Sequence, residues 1–134
     1  MKKIIGLLLI LIATINFAVG QKVKASPRES VNGKINEAAI SIDYGSPSVR
    51  GRKIWGALVP FGKIWRAGAN EATTFKTDED IMIKGKKLPA GNYSLFIIPN
   101  EKECIVIFNK KTDQWGAYNY SQDLDQLRVE VSPN

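Results

Sequence analysis

An antiparallel all-β domain, a β-sandwich or a jelly-roll-like fold, is what this 134-residue sequence predicts. Three observations carry that expectation. Short runs alternate apolar and polar residues with a period of two, turn residues punctuate them at short intervals, and no long stretch has the period of an amphipathic helix. The length itself predicts one domain.

The chain opens on a different signal. Met1-Lys2-Lys3 is basic, Ile4 to Ala13 is apolar apart from Gly6, and Ala18-Val19-Gly20 places small residues before Gln21. Charge, a short apolar run and small residues in that order predict a secretory signal peptide over residues 1–20, cleaved after Gly20. The run is short for a membrane anchor, which needs about 20 apolar residues. No cysteine follows it, as a lipoprotein signal would require. The expected protein is therefore exported, periplasmic or extracellular, with no membrane span after cleavage.

Residues 21–34 are polar, contain Ser26-Pro27-Arg28, and are expected to form an extended lead-in to a β domain over 35–134. The first expected strand is Ala38 to Tyr44, in which Ala38, Ile40, Ile42 and Tyr44 alternate with Ala39, Ser41 and Asp43 until Gly45-Ser46-Pro47-Ser48 breaks it. Residues 49–72 are a long ordered connection rich in Gly, Arg, Lys and Trp. Ile54, Trp55 and Leu58 have the spacing of one helical turn, which Pro60 would end. Strands are expected again at Thr73 to Thr77 and Ile81-Met82-Ile83, with Lys84-Gly85-Lys86 and Leu88-Pro89-Ala90-Gly91 as turns. Tyr93 to Ile98 and Cys104 to Phe108 are apolar on both faces, the mark of central strands, and Pro99-Asn100-Glu101-Lys102 would join them as a hairpin. Leu127, Val129 and Val131 alternate with Arg128 and Glu130 in a last strand with one wet face.

Composition removes several chemistries. Histidine is absent, which excludes Ser–His and Cys–His nucleophile pairs and the commonest zinc ligand. The lone Cys104 cannot form an internal disulfide and lies in the apolar run Cys104 to Phe108, where a structural thiol is expected. Asp78-Glu79-Asp80 lacks the spaced oxygen ligands and glycine of a calcium loop and reads as a solvated turn. The sequence therefore assigns no catalytic residue, metal site or cofactor. Removal of Lys2 and Lys3 with the leader lowers the net charge of +6 by two. The remaining basic residues are scattered, which favours solubility and weak anion attraction and points to no nucleic-acid partner.

The conspicuous residues are Arg50, Arg52, Lys53, Trp55, Trp65, Arg66, Asn70 and Glu71. As a binding site, the arginines would grip a carboxylate or phosphate while the tryptophans form a flat apolar wall, which suits a small anionic or sugar ligand. As plain structure, Trp55 and Trp65 would be core plugs, Arg66 and Glu71 an ion pair, and Asn70 a turn residue bonded to nearby backbone, with Arg50 and Arg52 the exposed pair. Trp115, Tyr118 and Tyr120 form either a stacking platform or a packed strand end. Three functions follow: a non-catalytic binding or structural module with its ligand residues among Arg50, Arg52, Trp55, Trp65, Arg66, Asn70 and Glu71; a carboxylate-dependent glycoside hydrolase built on Glu71; or a module that adds a strand to a partner's sheet.

Trp65-Arg66-Ala67-Gly68-Ala69-Asn70-Glu71-Ala72-Thr73, with Ser26-Pro27-Arg28, Tyr44-Gly45-Ser46-Pro47 and Gly51-Arg52-Lys53-Ile54-Trp55, resembles a bacterial family catalogued as domain of unknown function 2911. Leu88-Pro89-Ala90-Gly91-Asn92-Tyr93 and Gln114-Trp115-Gly116-Ala117 extend the resemblance, which runs from about Ser26 to the C-terminus. It implies an exported all-β protein and brings no activity with it. Proteins that look like this continue past Arg128-Val129-Glu130-Val131 with a further pair of strands. The expectation is thus a domain lacking its C-terminal strands, with an open sheet edge near Leu127 to Val131 and a tendency to edge-strand self-association.

Overall fold

A computed structural model describes residues 25–133. The expected leader, residues 1–20, and the first part of the lead-in lie outside them. The described chain is all-β and sandwich-like. Its main layer is a six-stranded antiparallel sheet in the order β1 (Arg28–Ile35), β2 (Ala38–Gly45), β3 (Thr73–Thr77), β6 (Gly91–Ile98), β7 (Cys104–Asn109) and β8 (Asp125–Val131). Between β3 and β6 the chain makes an excursion, β4 (Ile81–Ile83) and β5 (Lys86–Leu88), which pair as a separate two-stranded ribbon. Lys84 and Gly85 turn that ribbon with φ of 49° and 76°, the left-handed backbone that a tight two-residue hairpin requires.

The period of two divides the sheet cleanly into faces. On one, Ala38 and Ile40 of β2 lie beside Phe75, Tyr93 and Phe108, and the ribbon closes over them with Ile81 and Leu88. Phe75 and Phe108 meet edge to face with centroids 5.1 Å apart, a favoured aromatic geometry. On the other face Phe96 and Ile107 are sealed by loop residues, Ala72 and Ile64 from one side and Ala117 and Tyr120 from the other. Residues 92–98 and 104–109 feed both cores, which is why β6 and β7 carry apolar side chains on both faces.

Three expectations need correction. The strand system begins at Arg28, inside the expected lead-in, because β1 pairs along its whole length with β2 from Arg28↔Gly45 to Ile35↔Ala38. Every residue of β1 is exposed, so its sequence has no burial to betray it. The helical turn expected at Ile54 to Leu58 does not form. The amides of Leu58 and Val59 bond back to the carbonyls of Lys53 and Ile54 while Gly56 N–H donates to the Val59 carbonyl, closing a compact loop. Gly56 turns it with φ of 76°, a backbone no helix interior contains. The expected turn at Leu88 also starts late, since Lys86–Leu88 belongs to the ribbon.

Candidate binding cleft

The connection between β2 and β3 is fixed at both ends by the sheet. Trp65 exchanges two backbone bonds of 2.8 Å with Ile97, and Gly62 N–H donates to the Pro99 carbonyl at 2.8 Å. Residues 62–65 thus run beside β6 where β3 has not yet begun. The chain then crosses the end of β2 at very short range. A Cβ on Gly45 would fall 2.1 Å from the Ala69 carbonyl oxygen, and one on Gly68 2.9 Å from that of Gly45. Glycine at both positions is what lets the loop lie there, since anything larger forces backbone apart. Beyond the crossing, Gly116 N–H donates to the Asn70 carbonyl and Ala72 N–H to that of Gln114.

This routing builds a cleft of about 420 Å³ at the end of the sheet, within the size range of small-ligand pockets. Arg52, Trp55, Trp65 and Arg66 line it together with Ile54, Leu58, Ser26 and Pro47. Trp55 and Trp65 meet edge to face, centroids 5.5 Å apart at 88°, and Trp55 remains 54% exposed. Trp55 is therefore a wall, not the core plug of the structural reading. Trp65 is half-buried.

The two arginines of the cleft differ. Arg52 Nε and Nη2 donate to the carbonyls of Val49 (3.0 Å) and Ser48 (2.7 Å), which orients an exposed guanidinium and leaves it donors to spare. Arg66 has a buried Nε with no hydrogen-bond partner among the described residues. Its Nη1 lies near the turn at Gly116, 3.9 Å from where a Cβ on that glycine would stand. The ion pair expected between Arg66 and Glu71 is absent among the described residues, whose ion pairs are Lys87–Asp80 and Arg128–Asp125. The backbone pairing of 70–72 with 114–116 explains this: Glu71 is bridged opposite Trp115 and is exposed, outside the cleft.

Arg50, Asn70 and Glu71 are not brought into the cleft lining. Arg50 is an exposed turn residue with φ of 51°. Asn70 fits the structural reading: its φ is 62° and its Nδ2 reaches the Ser26 carbonyl at 3.4 Å. No carboxylate lines the cleft, so the pair of acids that a glycosidase sets across its substrate is not assembled there. Sequence reasoning missed Ser26, Pro47 and the apolar Ile54 and Leu58 as lining residues. It also missed Arg28, whose guanidinium spans Asp43, Glu71 and Ala72 carbonyls at 3.0 to 3.4 Å and ties β1 to the 70–72 segment.

The profile of a family described as "Protein of unknown function (DUF2911)" matches residues 26–134. The chain belongs to the DUF2911 family. The match begins at Ser26, a residue of the cleft, so the whole lining falls inside the DUF2911 region. Comparison with curated proteins and with solved structures returns no match. Among the described residues no helix is long and apolar enough to cross a membrane.

Proposed function

We propose that this DUF2911 chain is an exported, non-catalytic binding domain. Its cleft takes a small ligand that combines a flat apolar body with one anionic group. The signal-like residues 1–20 motivate export. The observation that carries the ligand class is Arg66, which lines the cleft with two tryptophans and a second arginine, has a buried Nε with no partner among the described residues, and faces no carboxylate in the lining. A buried donor without an acceptor costs about 1–3 kcal/mol, and more where the group is charged. A carboxylate or phosphate arriving from outside would offset that cost with charge-assisted bonds. Trp55 and Trp65 supply the surface on which the ligand body lies.

Titration of the protein with indole-3-carboxylate and phenyl phosphate, beside the neutral analogues indole and phenol, tests this by tryptophan fluorescence and NMR. The anionic members should saturate a site whose perturbed resonances include Trp55 and Trp65. Arg66→Met should weaken them at least tenfold and leave the neutral compounds unchanged. Equal response to charged and neutral members, or the same affinity in Arg66→Met, would remove the reason for assigning an anion site.

A further inference from the structure

The two outer strands of the main sheet are finished differently. β8 turns the carbonyls of Arg128 and Glu130 away from β7, and both are occupied: Lys86 Nζ donates to the first at 3.2 Å and Lys84 Nζ to the second at 2.7 Å. An edge whose acceptors are held by lysines from the neighbouring ribbon is a poor template for another strand. The edge expected to be open near Leu127 to Val131 is therefore guarded.

β1 has no such cover among the described residues. The Pro27 carbonyl accepts from Ser46 N–H at 2.8 Å, and Ile35↔Ala38 closes a two-residue turn. The odd-numbered residues of β1 therefore bond to β2, and Arg28, Ser30, Asn32 and Lys34 turn their N–H and C=O groups outward. The side chains of Glu29, Val31, Gly33 and Ile35 share the face of Ile40 and Ile42, where Val31 is 53% and Ile35 46% exposed.

We propose that β1 is a self-association site. A second copy of this chain adds its own β1 antiparallel across a two-fold axis at Asn32. Antiparallel neighbours must keep like faces together, so only registers centred on whole residues are open. Centring on Val31 sets Arg28 against Lys34, and like charges directly opposite are destabilising; centring on Gly33 overlaps only residues 31–35 of the strand, because β1 ends at Ile35. Centring on Asn32 overlaps residues 29–35 and opposes Ser30 to Lys34 and Glu29 to Ile35, with no such conflict. In that register Val31 of each copy stands opposite Gly33 of the other. A Cβ on Gly33 would meet nothing within 4 Å, and an open groove of about 260 Å³ surrounds it, lined by Val31, Ile35, Ile40, Ile42 and Phe75. Each valine thus enters a notch that the partner's glycine leaves. Pairs at 30, 32 and 34 would exchange about six backbone bonds. The overlap is short, so the dimer is reversible and depends on concentration.

Sedimentation velocity over a concentration series, with disulfide trapping in a Cys104→Ala background, tests the site and its register. Asn32→Cys should form a linked dimer, because a hydrogen-bonded antiparallel pair holds its Cα atoms at about 5.5 Å, inside disulfide range. Ser30→Cys alone should not, yet mixed with Lys34→Cys it should give the heterodimer. Asn32→Pro removes an outward N–H without touching the β1–β2 ladder and should weaken dimerisation roughly tenfold or more. Circular dichroism of that variant separates lost docking from lost fold; Val31→Lys is a second blocking variant with the β1–β2 backbone intact. A monomer at every concentration overturns the proposal, as do trapping that ignores register and a dimer indifferent to both Asn32→Pro and Val31→Lys.

Discussion

Two arginines on this fold are nearly opposite cases. Arg128 sits in a network whose charged groups find partners, and whose unpartnered buried atom among the described residues is the neutral amide Oε1 of Gln114. Its Nε donates to Asp125 Oδ2 at 2.7 Å and its Nη2 to the Tyr120 hydroxyl at 2.7 Å, while Tyr120 donates to the same carboxylate oxygen at 2.6 Å. Asn109, wholly buried, donates to Asp125 Oδ1 and to the Ser121 carbonyl. Its Oδ1 in turn accepts from Gln114 Nε2 and from the Lys111 amide. Arg66 is also partly buried and also beside aromatic rings, yet it has no anionic partner among the described residues. A closed network specifies a packing arrangement; an open one has capacity left for a ligand. The contrast is the ground on which a structural role is read for the first region and binding is proposed for the second.

The largest expected effect breaks the closed network. Asp125→Ala strands three donors at once, on Arg128, Tyr120 and Asn109, and leaves a charge without its counter-ion. The Arg128 side chain is 32% exposed, so water takes up part of what the counter-ion gave, and the expected cost is about 2–4 kcal/mol. Urea unfolding should show a loss in that range. A loss under about 1 kcal/mol would mean that the network rearranges freely, and that its closure says nothing about its role.

A smaller effect sharpens the same point through pH. Burial pushes the Tyr120 hydroxyl above its ordinary value near 10, with the Asp125 hydrogen bond adding to the rise and Arg128 opposing it. The folded form therefore keeps a proton that the unfolded chain loses. This contribution is present below the ordinary tyrosine pKa and disappears as pH climbs through the raised one. Tyr120→Phe should cost about 1 kcal/mol at neutral pH. Above pH of about 10 its stability should fall less steeply than the parent's, by up to about one proton. Tyr93, also raised by burial, remains in both proteins as an internal reference. Parallel alkaline slopes would show that Tyr120 ionises freely and that the network is not closed to water.

How far the sequence carries depends on how much each segment buries. β6 and β7 are legible because both of their faces are covered, and β2 because its alternation matches the single core it feeds. β1 is invisible to the same logic: its eight residues are all exposed, and only pairing with β2 makes them a strand. Trp55, Trp65, Arg66 and Arg52 stand out by residue type, and the structure does gather those four. Nothing local tells that Glu71 turns away, because its position is set by backbone bonds to residues 114–116, more than forty positions distant. The lysines over β8 escape sequence reading for the same reason, since Lys84 acts on a carbonyl 46 residues away.

The smallest expected effect is the most informative about the cleft. Arg66→Met keeps the length and apolar stem of the side chain and removes the guanidinium. If that group bonds to nothing in the fold, its loss strands no partner and lifts the cost of a buried, unpaired donor. Stability should then stay within about 1 kcal/mol of the parent, or rise. Arg128→Met, the same substitution in the closed network, should cost about 3 kcal/mol by leaving Asp125 without its counter-ion. The difference between the two variants, read side by side by urea unfolding, cancels what replacing any arginine does to solubility or to the unfolded chain. Equal losses would place Arg66 among the residues that hold the fold together. A loss confined to Arg128→Met leaves ligand binding as the reason for a cation kept where the fold draws nothing from it.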